Sequence, residues 1–396
     1  MKKTSLSKDR QKRLVKVPEH NNIYALIPPA TPTPSSISSK EASTEIRIAE
    51  AELDKLKIQS ELLGNPELLT RTAYRREAVR SSQIEGTYSE LDQLFTYEAT
   101  GSDEGMPVDV HETKSYVDAL EIGLERVKDS GAKTTTTALI LDLHAKLMAT
   151  SHCSDNAGQF RTNQNWIGGG SRIENARFVP PPADKIQECM DDLEKHLQYI
   201  PDDELQMYPS IVARMAIIHA QFETIHPFID GNGRVGRILL PLMLAAEGHP
   251  PVYLAGYLKN NQEEYYDRLA GVQLKGEWKE WIIFFAKATT AAASEALETA
   301  DALRKLLKEW NDKVVALGRR KDAVILKFPE LLMRKPIVTM ETAAKELGTS
   351  YPSASQALEK LHELGIVTKE KEQRRNRVFI ATEVIDILNK PPNYHQ

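Results

Sequence analysis

Residues 211–225, IVARMAIIHAQFETI, are apolar nearly all round at any helical register. A helix of that kind has no face to give to water and must lie inside a bundle. The chain then passes through HPFIDGNGRVGR, residues 226–237, into RVGRILLPLMLAAEG, a second apolar run closed by Gly248. Two buried helices joined by one short glycine-rich loop are therefore expected at the centre of the fold. Pro241 inside the second run lacks an amide donor and predicts a bend or interruption there.

A chain of 396 residues exceeds what one hydrophobic core usually serves, so two or three domains are expected. Charged residues are 27% and apolar ones 41%, with a net charge of −5, which excludes a disordered or fibrous class and asks for no nucleic acid. Cys153 and Cys189 form neither a CxxC pair nor a zinc pattern, so a reducing compartment is expected. The basic start lacks the apolar core of a signal peptide and no run approaches the ~20 apolar residues of a membrane span. The expected location is cytoplasmic.

Chain character divides the sequence further. Residues 1–40 run from a basic tail into IPPATPTPSSISSK, where proline and serine leave neither period readable, and a surface strap is expected. Residues 41–110 form an N-terminal helical region, with Ile46, Ile48, Leu53, Leu56 and Ile58 at roughly helical intervals. A second helix candidate, from Pro66, stops at Gly86, which leaves Glu85 at a helix end. Residues 111–316 hold the buried helices. Within them Gly168, Gly169 and Gly170 predict a hairpin with a wide loop, and the run from Trp278 is one very long helix or two. A boundary near Ala316 opens a last domain, 317–396.

The loop at His226 carries the chemistry. Gly231, Asn232 and Gly233 sit where one helix ends and the next begins, so orphan amides and a positive helix end converge on an anion site. Arg234 and Arg237, three residues apart, can each fork onto phosphate oxygens. Asp230 would repel bare phosphate, and a magnesium ion bridging it to phosphate resolves the conflict. Imidazole ordinarily titrates near ~6.5, so His226 can take a proton from a hydroxyl at neutral pH. Singly, a helix-end histidine is a cap and GNG a common turn; together with Asp230 and two arginines they point to a magnesium nucleotide.

HPFIDGNGRVGR matches every fixed position of H-x-F-x-[D/E]-G-N-G-R-x-x-R, and on it the chain resembles the Fic family. EAVRSSQIEGT, GQFRTNQNWIG, ARFVPPP and NNQEEYYDRL are similar to other recurring segments of that family, and the resemblance spans roughly residues 20 to 290. It implies a mostly α fold: a Fic-type helical bundle with a small β-hairpin flap. It also implies a protein adenylyltransferase that moves AMP from ATP to Ser, Thr or Tyr hydroxyls, with itself among the targets. His226 is then the base that deprotonates the target hydroxyl, and Asp230 holds Mg²⁺. Gly231, Asn232 and Gly233 make the anion hole, Arg234 contacts phosphate or braces the loop, and Arg237 grips the γ-phosphate. Val235 and Gly236 belong to the same nucleotide-binding run, and Phe228 anchors the loop by packing.

The resemblance assigns Tyr265 and Tyr266, with Asn260 or Asn261, to the nucleotide pocket, although a YY pair that merely packs a helix stays open. Asn165, Trp166, Ile167 and Gly168 would be the flap that docks a target strand by backbone pairing. Ser81, Glu85 and Gly86 fit the family's inhibitory pattern [S/T]-x-x-x-E-[G/N]. Glu85 would pair with Arg237 and so remove it from ATP. Removal of AMP from proteins, or transfer of another phosphate-containing group, is the rival use of the same site.

The segment from Glu330 to Ala381 orders itself as a winged helix-turn-helix. A short helix at Ala343–Leu347, a turn at Gly348, a helix with Ala354, Leu358 and Leu361 inward, and a hairpin from Val367 to Ile380 follow in turn. Tyr351, Ser353, Ser355 and Gln356 could face DNA bases, with Arg374, Arg375 and Arg377 on phosphates. The glutamate-rich remainder equally suits a protein partner or homodimer, and a DNA-binding regulator with a nucleotide-sensing site is the reading of a different class.

Overall fold

The computed structural model describes residues 1–18, 20, 22–37, 39–62, 67–151, 153–198, 209–369 and 377–391. In chain order these are α1 (Lys8–Gln11), β1 (Leu14–Lys16), β2 (Tyr24–Leu26), α2 (Lys40–Leu62), α3 (Glu67–Ile84), α4 (Leu91–Thr100) and α5 (Asp109–Ser130). Then come α6 (Thr137–Leu147), α7 (Ile186–Leu197), α8 (Ile211–Ile225), α9 (Asn232–Ala246), α10 (Ala255–Asn260), α11 (Gln262–Lys275) and α12 (Trp278–Val315). The chain ends with α13 (Phe328–Arg334), β3 (Ile337–Thr339), α14 (Met340–Leu347), α15 (Tyr351–Glu363), β4 (Thr368–Lys369), β5 (Val378–Ile380) and α16 (Thr382–Asn389). The fold is mostly α, with two small antiparallel sheets. No helix among the described residues is long and apolar enough to cross a membrane.

Two compact units form, one from residues 1–57 with 115–293 and the other from 58–114 with 294–396. The first is built on α8, whose fifteen residues are all buried, as a helix apolar on every side requires. α7, α9 and α11 pack around it. Trp281 donates its indole N–H to the Ala216 carbonyl at 2.8 Å, so even this large polar tip is satisfied in the core. α9 runs through Pro241 without the interruption its missing amide predicts, and Gly248 closes it with φ +73°. The run from Trp278 is a single helix of 38 residues.

The N-terminal segment is more than a strap. β1 and β2 pair with Leu14 opposite Leu26 and Lys16 opposite Tyr24. Val17 and Ala25 are fully buried in a small cluster with Ile173, Ala176 and Val179. Three-residue strands are too short for a period to emerge. The prolines that obscured the pattern lie beyond β2, where the Pro29 carbonyl accepts from Gln221 at 2.9 Å. On α2 the inward positions are Ala42, Ala49, Leu53 and Leu56, whereas Ile48 and Ile58 face water, 46% and 59% exposed. The burying stripe there uses alanines that a search for large side chains passes over.

In the second unit α3 packs against α13 and α4, and α4 packs against β3. Glu295 receives Arg80 at 2.8 Å and Arg76 at 3.1 Å, and Arg75 pairs with Glu98 at 2.6 Å. α14 and α15 pack together, joined through Gly348 at φ +59°. The sheet order is β3-β5-β4, with Thr368 opposite Ile380 across the final hairpin. Ala354, Ala357, Leu358 and Leu361 are the buried face of α15, and Tyr351 and Gln356 are exposed. Arg377 lies 3.7 Å from Glu359, while Arg374 and Arg375 fall outside the described residues.

Candidate active site

α8 ends at Ile225, and His226 caps it in the left-handed region at φ +49°, a conformation that a non-glycine residue holds only when its surroundings impose it. Those surroundings are specific. The His226 amide donates to the Phe222 carbonyl at 2.9 Å, and the His226 carbonyl accepts from Arg161 Nε at 2.9 Å. Arg161 is almost fully buried, and its Nη1 and Nη2 bind the carbonyls of Asn163 at 3.0 Å and Pro181 at 2.6 Å. Burial lowers its pKa to about 10, yet it remains a cation at neutral pH.

The turn that follows is fixed from within. Asn232 accepts from the Phe228 amide and donates to the Phe228 carbonyl, both at 2.9 Å, so its side chain is committed to the loop. What remains for it to offer an anion is the backbone amide. α9's first internal bond is Val235 to the Gly231 carbonyl, which leaves the Asn232 and Gly233 amides without a helical acceptor at the positive end of the helix. Gly231 takes φ +79°, and a Cβ there would lie 2.9 Å from Met148 Sδ. Only glycine serves at that position.

Beneath the loop, Phe228 is fully buried and stacks on His144 with ring centroids 3.7 Å apart and 4° between planes. His144 Nδ1 accepts the Gly158 amide at 2.9 Å, so the proton of the neutral ring sits on Nε2, which donates to the Asp230 carbonyl at 3.0 Å. Burial pushes its pKa down to about 4 and keeps it neutral. His144 therefore steadies the backbone of the acidic residue rather than titrating beside it.

Asp230 is 41% exposed at its side chain; Oδ1 accepts the Gly231 amide at 2.6 Å and Oδ2 meets Arg234 Nη2 at 3.1 Å. One carboxylate, beside a loop rich in amides, fits magnesium, which takes most of its ligands from water and substrate phosphates. No group of three or more His, Cys, Asp or Glu able to hold a metal occurs among the described residues. Arg234 is 4% exposed and Arg237 1%. Val235 is fully buried and packs. Gly236 allows α9 to approach α8, since a Cβ there would stand 2.7 Å from Glu223 Oε1.

The flap residues divide by role. Ile167 and Phe178 form one antiparallel bridge, with Ile167 donating to the Phe178 carbonyl at 2.9 Å, and Gly168, Gly169 and Gly170 all take positive φ. The expected hairpin is thus a single bridge and a left-handed glycine turn, which Trp166 closes by donating to the Gly170 carbonyl at 2.9 Å. Asn165 Nδ2 reaches back to the Phe228 carbonyl at 2.9 Å and so belongs to the His226 loop. Arg177 ties the flap to Asp267 on α11 at 2.6 Å.

Tyr265 and Tyr266, adjacent on α11, pack with ring centroids 5.0 Å apart but differ in exposure. Tyr265 is buried with its hydroxyl 2.9 Å from His219 Nε2, and Tyr266 is 37% exposed. Asn260 is exposed at the end of α10, and the Asn261 carbonyl accepts the Tyr265 amide at 2.9 Å. At the end of α3, Ser81 is buried, Glu85 is exposed, and Gly86 takes φ +93°.

Four residues without a role in the sequence reading prove central: Arg161, His144, His219 and Glu223. For His219 and Glu223 a signal existed. Polar side chains four apart inside a helix apolar on every side must find partners or each other. Glu223 is buried; burial raises its pKa, but His226, His219 and Arg237 together outweigh that and hold it below the ordinary carboxylate value.

Comparison with known proteins fits this geometry. Residues 43–125 match the Fic/DOC family N-terminal model and residues 134–244 the Fic/DOC family model. Protein adenylyltransferase fic-1 of Caenorhabditis elegans is 31% identical over 153 residues, 39% of this chain and 27% of that protein. Protein adenylyltransferase Fic of Culex quinquefasciatus is 28% identical over 221 residues, 55% of this chain and 41% of that protein. The chain thus spans well under half the length of these curated relatives. Among solved structures, a Fic family protein from Desulfovibrio desulfuricans G20 superposes with a TM-score of 0.53 at 20% identity, covering 87% of this chain and 96% of that one. Fic-1 (residues 134–508) from C. elegans superposes with a TM-score of 0.50 at 22% identity, covering 65% of this chain and 73% of that one. The chain thus carries a Fic/DOC family N-terminal region at residues 43–125 and a Fic/DOC family region at residues 134–244.

Proposed function

We propose that this protein transfers AMP from ATP to a Ser, Thr or Tyr hydroxyl of a protein target, itself included. The observation that supports this reading most is the loop from His226 to Arg237. A left-handed histidine, two amides lacking helical acceptors, a half-exposed carboxylate and two buried arginines converge there. His226 takes the hydroxyl proton, the oxygen bonds to the α-phosphorus, and the bond from that phosphorus to the bridging oxygen breaks as pyrophosphate leaves. The amides of Asn232 and Gly233 stabilise the phosphoryl oxygens, Arg237 holds the γ-phosphate, and Arg234 aligns Asp230. Magnesium on Asp230, when bound, supplies neutralising charge between the phosphates. Tyr266, Asn260 and the outer edge of α11 would border the nucleotide, and the flap from Trp166 to Gly168 would pair with the target's backbone.

Glu85 is the proposed brake. It ends the inhibitory pattern that starts at Ser81, and its carboxylate would compete with the γ-phosphate for Arg237. The C-terminal unit, read as a winged helix, would bind the partner that governs the enzyme. Incubation with ATP labelled at the α-phosphate tests the reading: label enters protein with Glu85→Gly and is lost with His226→Ala. ATP labelled at the γ-phosphate leaves no mark.

A further inference from the structure

Glu223 lies one helical turn before His226, with its side chain only 7% exposed. Its Oε1 is sealed from solvent and makes no hydrogen bond among the described residues, and the Nδ1 of His226 is in the same condition. These two orphaned atoms belong to groups that face one another: Glu223 Oε2 is 3.7 Å from His226 Nδ1. The distance exceeds a hydrogen bond, and less than 1 Å of ring movement closes it. A buried acceptor and a buried ring nitrogen left in this state are costly unless they are used together.

The room for this carboxylate is made by Gly236. A side chain at that position would stand 2.7 Å from Oε1, so α9 presses on Glu223 with bare backbone. Other charged and titratable groups also surround Glu223, and the Nδ1 of His219 is, like that of His226, buried without a hydrogen bond among the described residues. His219, one turn earlier on α8, has Nε2 on the Tyr265 hydroxyl at 2.9 Å and is pushed toward neutrality by its burial. Arg237 of α9 adds positive charge that favours an ionised Glu223. Gln273 of α11 meets the Glu223 backbone carbonyl at 3.3 Å and leaves the carboxylate alone.

We propose that Glu223 is the positioning residue of His226: its carboxylate accepts the Nδ1 proton, which fixes the ring's tautomer and leaves Nε2 as the nitrogen that takes the target hydroxyl's proton. This rests on the reading of His226 as the base. As Nε2 gains its proton the ring becomes a cation, and the Glu223 carboxylate, one turn away in a dry site, stabilises that charge without accepting the proton itself. His226 holds its place at the end of α8 with a left-handed backbone, φ +49°, and its amide on the Phe222 carbonyl at 2.9 Å.

Ring-nitrogen NMR on protein labelled in its 10 histidines reports the tautomer directly, with His226→Ala assigning the signal. Wild type is expected to carry the neutral His226 proton on Nδ1, and Glu223→Gln to lose that preference. An Nε2-protonated ring in wild type, or a tautomer unchanged by Glu223→Gln, overturns the inference, and the wild-type spectrum decides even if the variant does not fold. In the Glu85→Gly background, Glu223→Gln should lower kcat about 10- to 100-fold and leave KM for ATP within about twofold. Transfer that survives His226→Ala defeats the reading of the base. Full kcat in Glu223→Gln beside an inactive His226→Ala defeats the role of Glu223 alone.

Discussion

Arg161 donates to the carbonyl of His226 at 2.9 Å, and with Asn165 Nδ2 at 3.4 Å from the same oxygen it ties the proposed base to a segment more than sixty residues earlier. The same guanidinium holds the Asn163 and Pro181 carbonyls, so three strands of irregular backbone meet on one buried cation. Lysine's three donors all issue from one nitrogen and do not reproduce a fork that reaches these carbonyls from three.

Arg161→Ala is accordingly expected to lower stability by about 2–4 kcal/mol, since three backbone carbonyls lose a charge-assisted donor. Arg161→Lys recovers less than half of that. Urea unfolding of the two variants checks the order, and equal stability of wild type and Arg161→Ala would show that the network carries no weight.

Gly236→Ala adds a methyl group 2.7 Å from Glu223 Oε1, 3.2 Å from Phe222 and 3.3 Å from His219. Overpacking of this kind costs about 1–3 kcal/mol. Thermal melting should show it as a lowered midpoint, whereas an alanine tolerated without loss would mean α8 and α9 separate freely.

His144 supplies a pH signature. Its folded pKa, about 4, is below the unfolded value of 6.5 because burial disfavours the charged ring. The unfolded chain therefore binds a proton first as pH falls. The stability this neutral ring represents is complete above pH 6.5 and is lost progressively between about 6.5 and 4, by up to about 3 kcal/mol. Chemical denaturation across that window should fall less steeply in His144→Gln than in wild type; parallel curves would contradict the assignment.

α3 bears the proposed brake at its end and packs on α13 of the C-terminal segment. Deleting residues from 317 onward should therefore expose α3, and hydrogen exchange of its amides should accelerate by at least about tenfold. Unchanged protection would show that α3 stands on its own helical contacts.

How much of this was legible beforehand follows from what kind of force fixes each part. The centre was legible because an all-apolar helix and a glycine turn each admit one environment, and α8, the loop and α9 follow from that. The Gly348 turn and the inward face of α15 came through for the same reason. β1 and β2 did not, because three-residue strands carry no period. Ile48 and Ile58 mark the helix without marking its buried side, because apolar character identifies a helix more surely than the face it turns inward. In the site, His226, Asp230 and the glycines sit within twelve residues and could be read together. Arg161, His144 and Glu223 act through carbonyls, stacking and burial across 65, 84 or 86 residues, or within a helix that looked merely greasy. Asn232 was legible as a member of the loop but not as the clamp on Phe228.

The most direct test of the account is transfer of radioactivity from α-labelled ATP to protein, measured side by side in wild type, Glu85→Gly and Glu85→Gly with His226→Ala. Strong labelling in Glu85→Gly, little in wild type and none in the double variant is the predicted result. Labelling that persists without His226, or its absence from Glu85→Gly, would contradict the central claim.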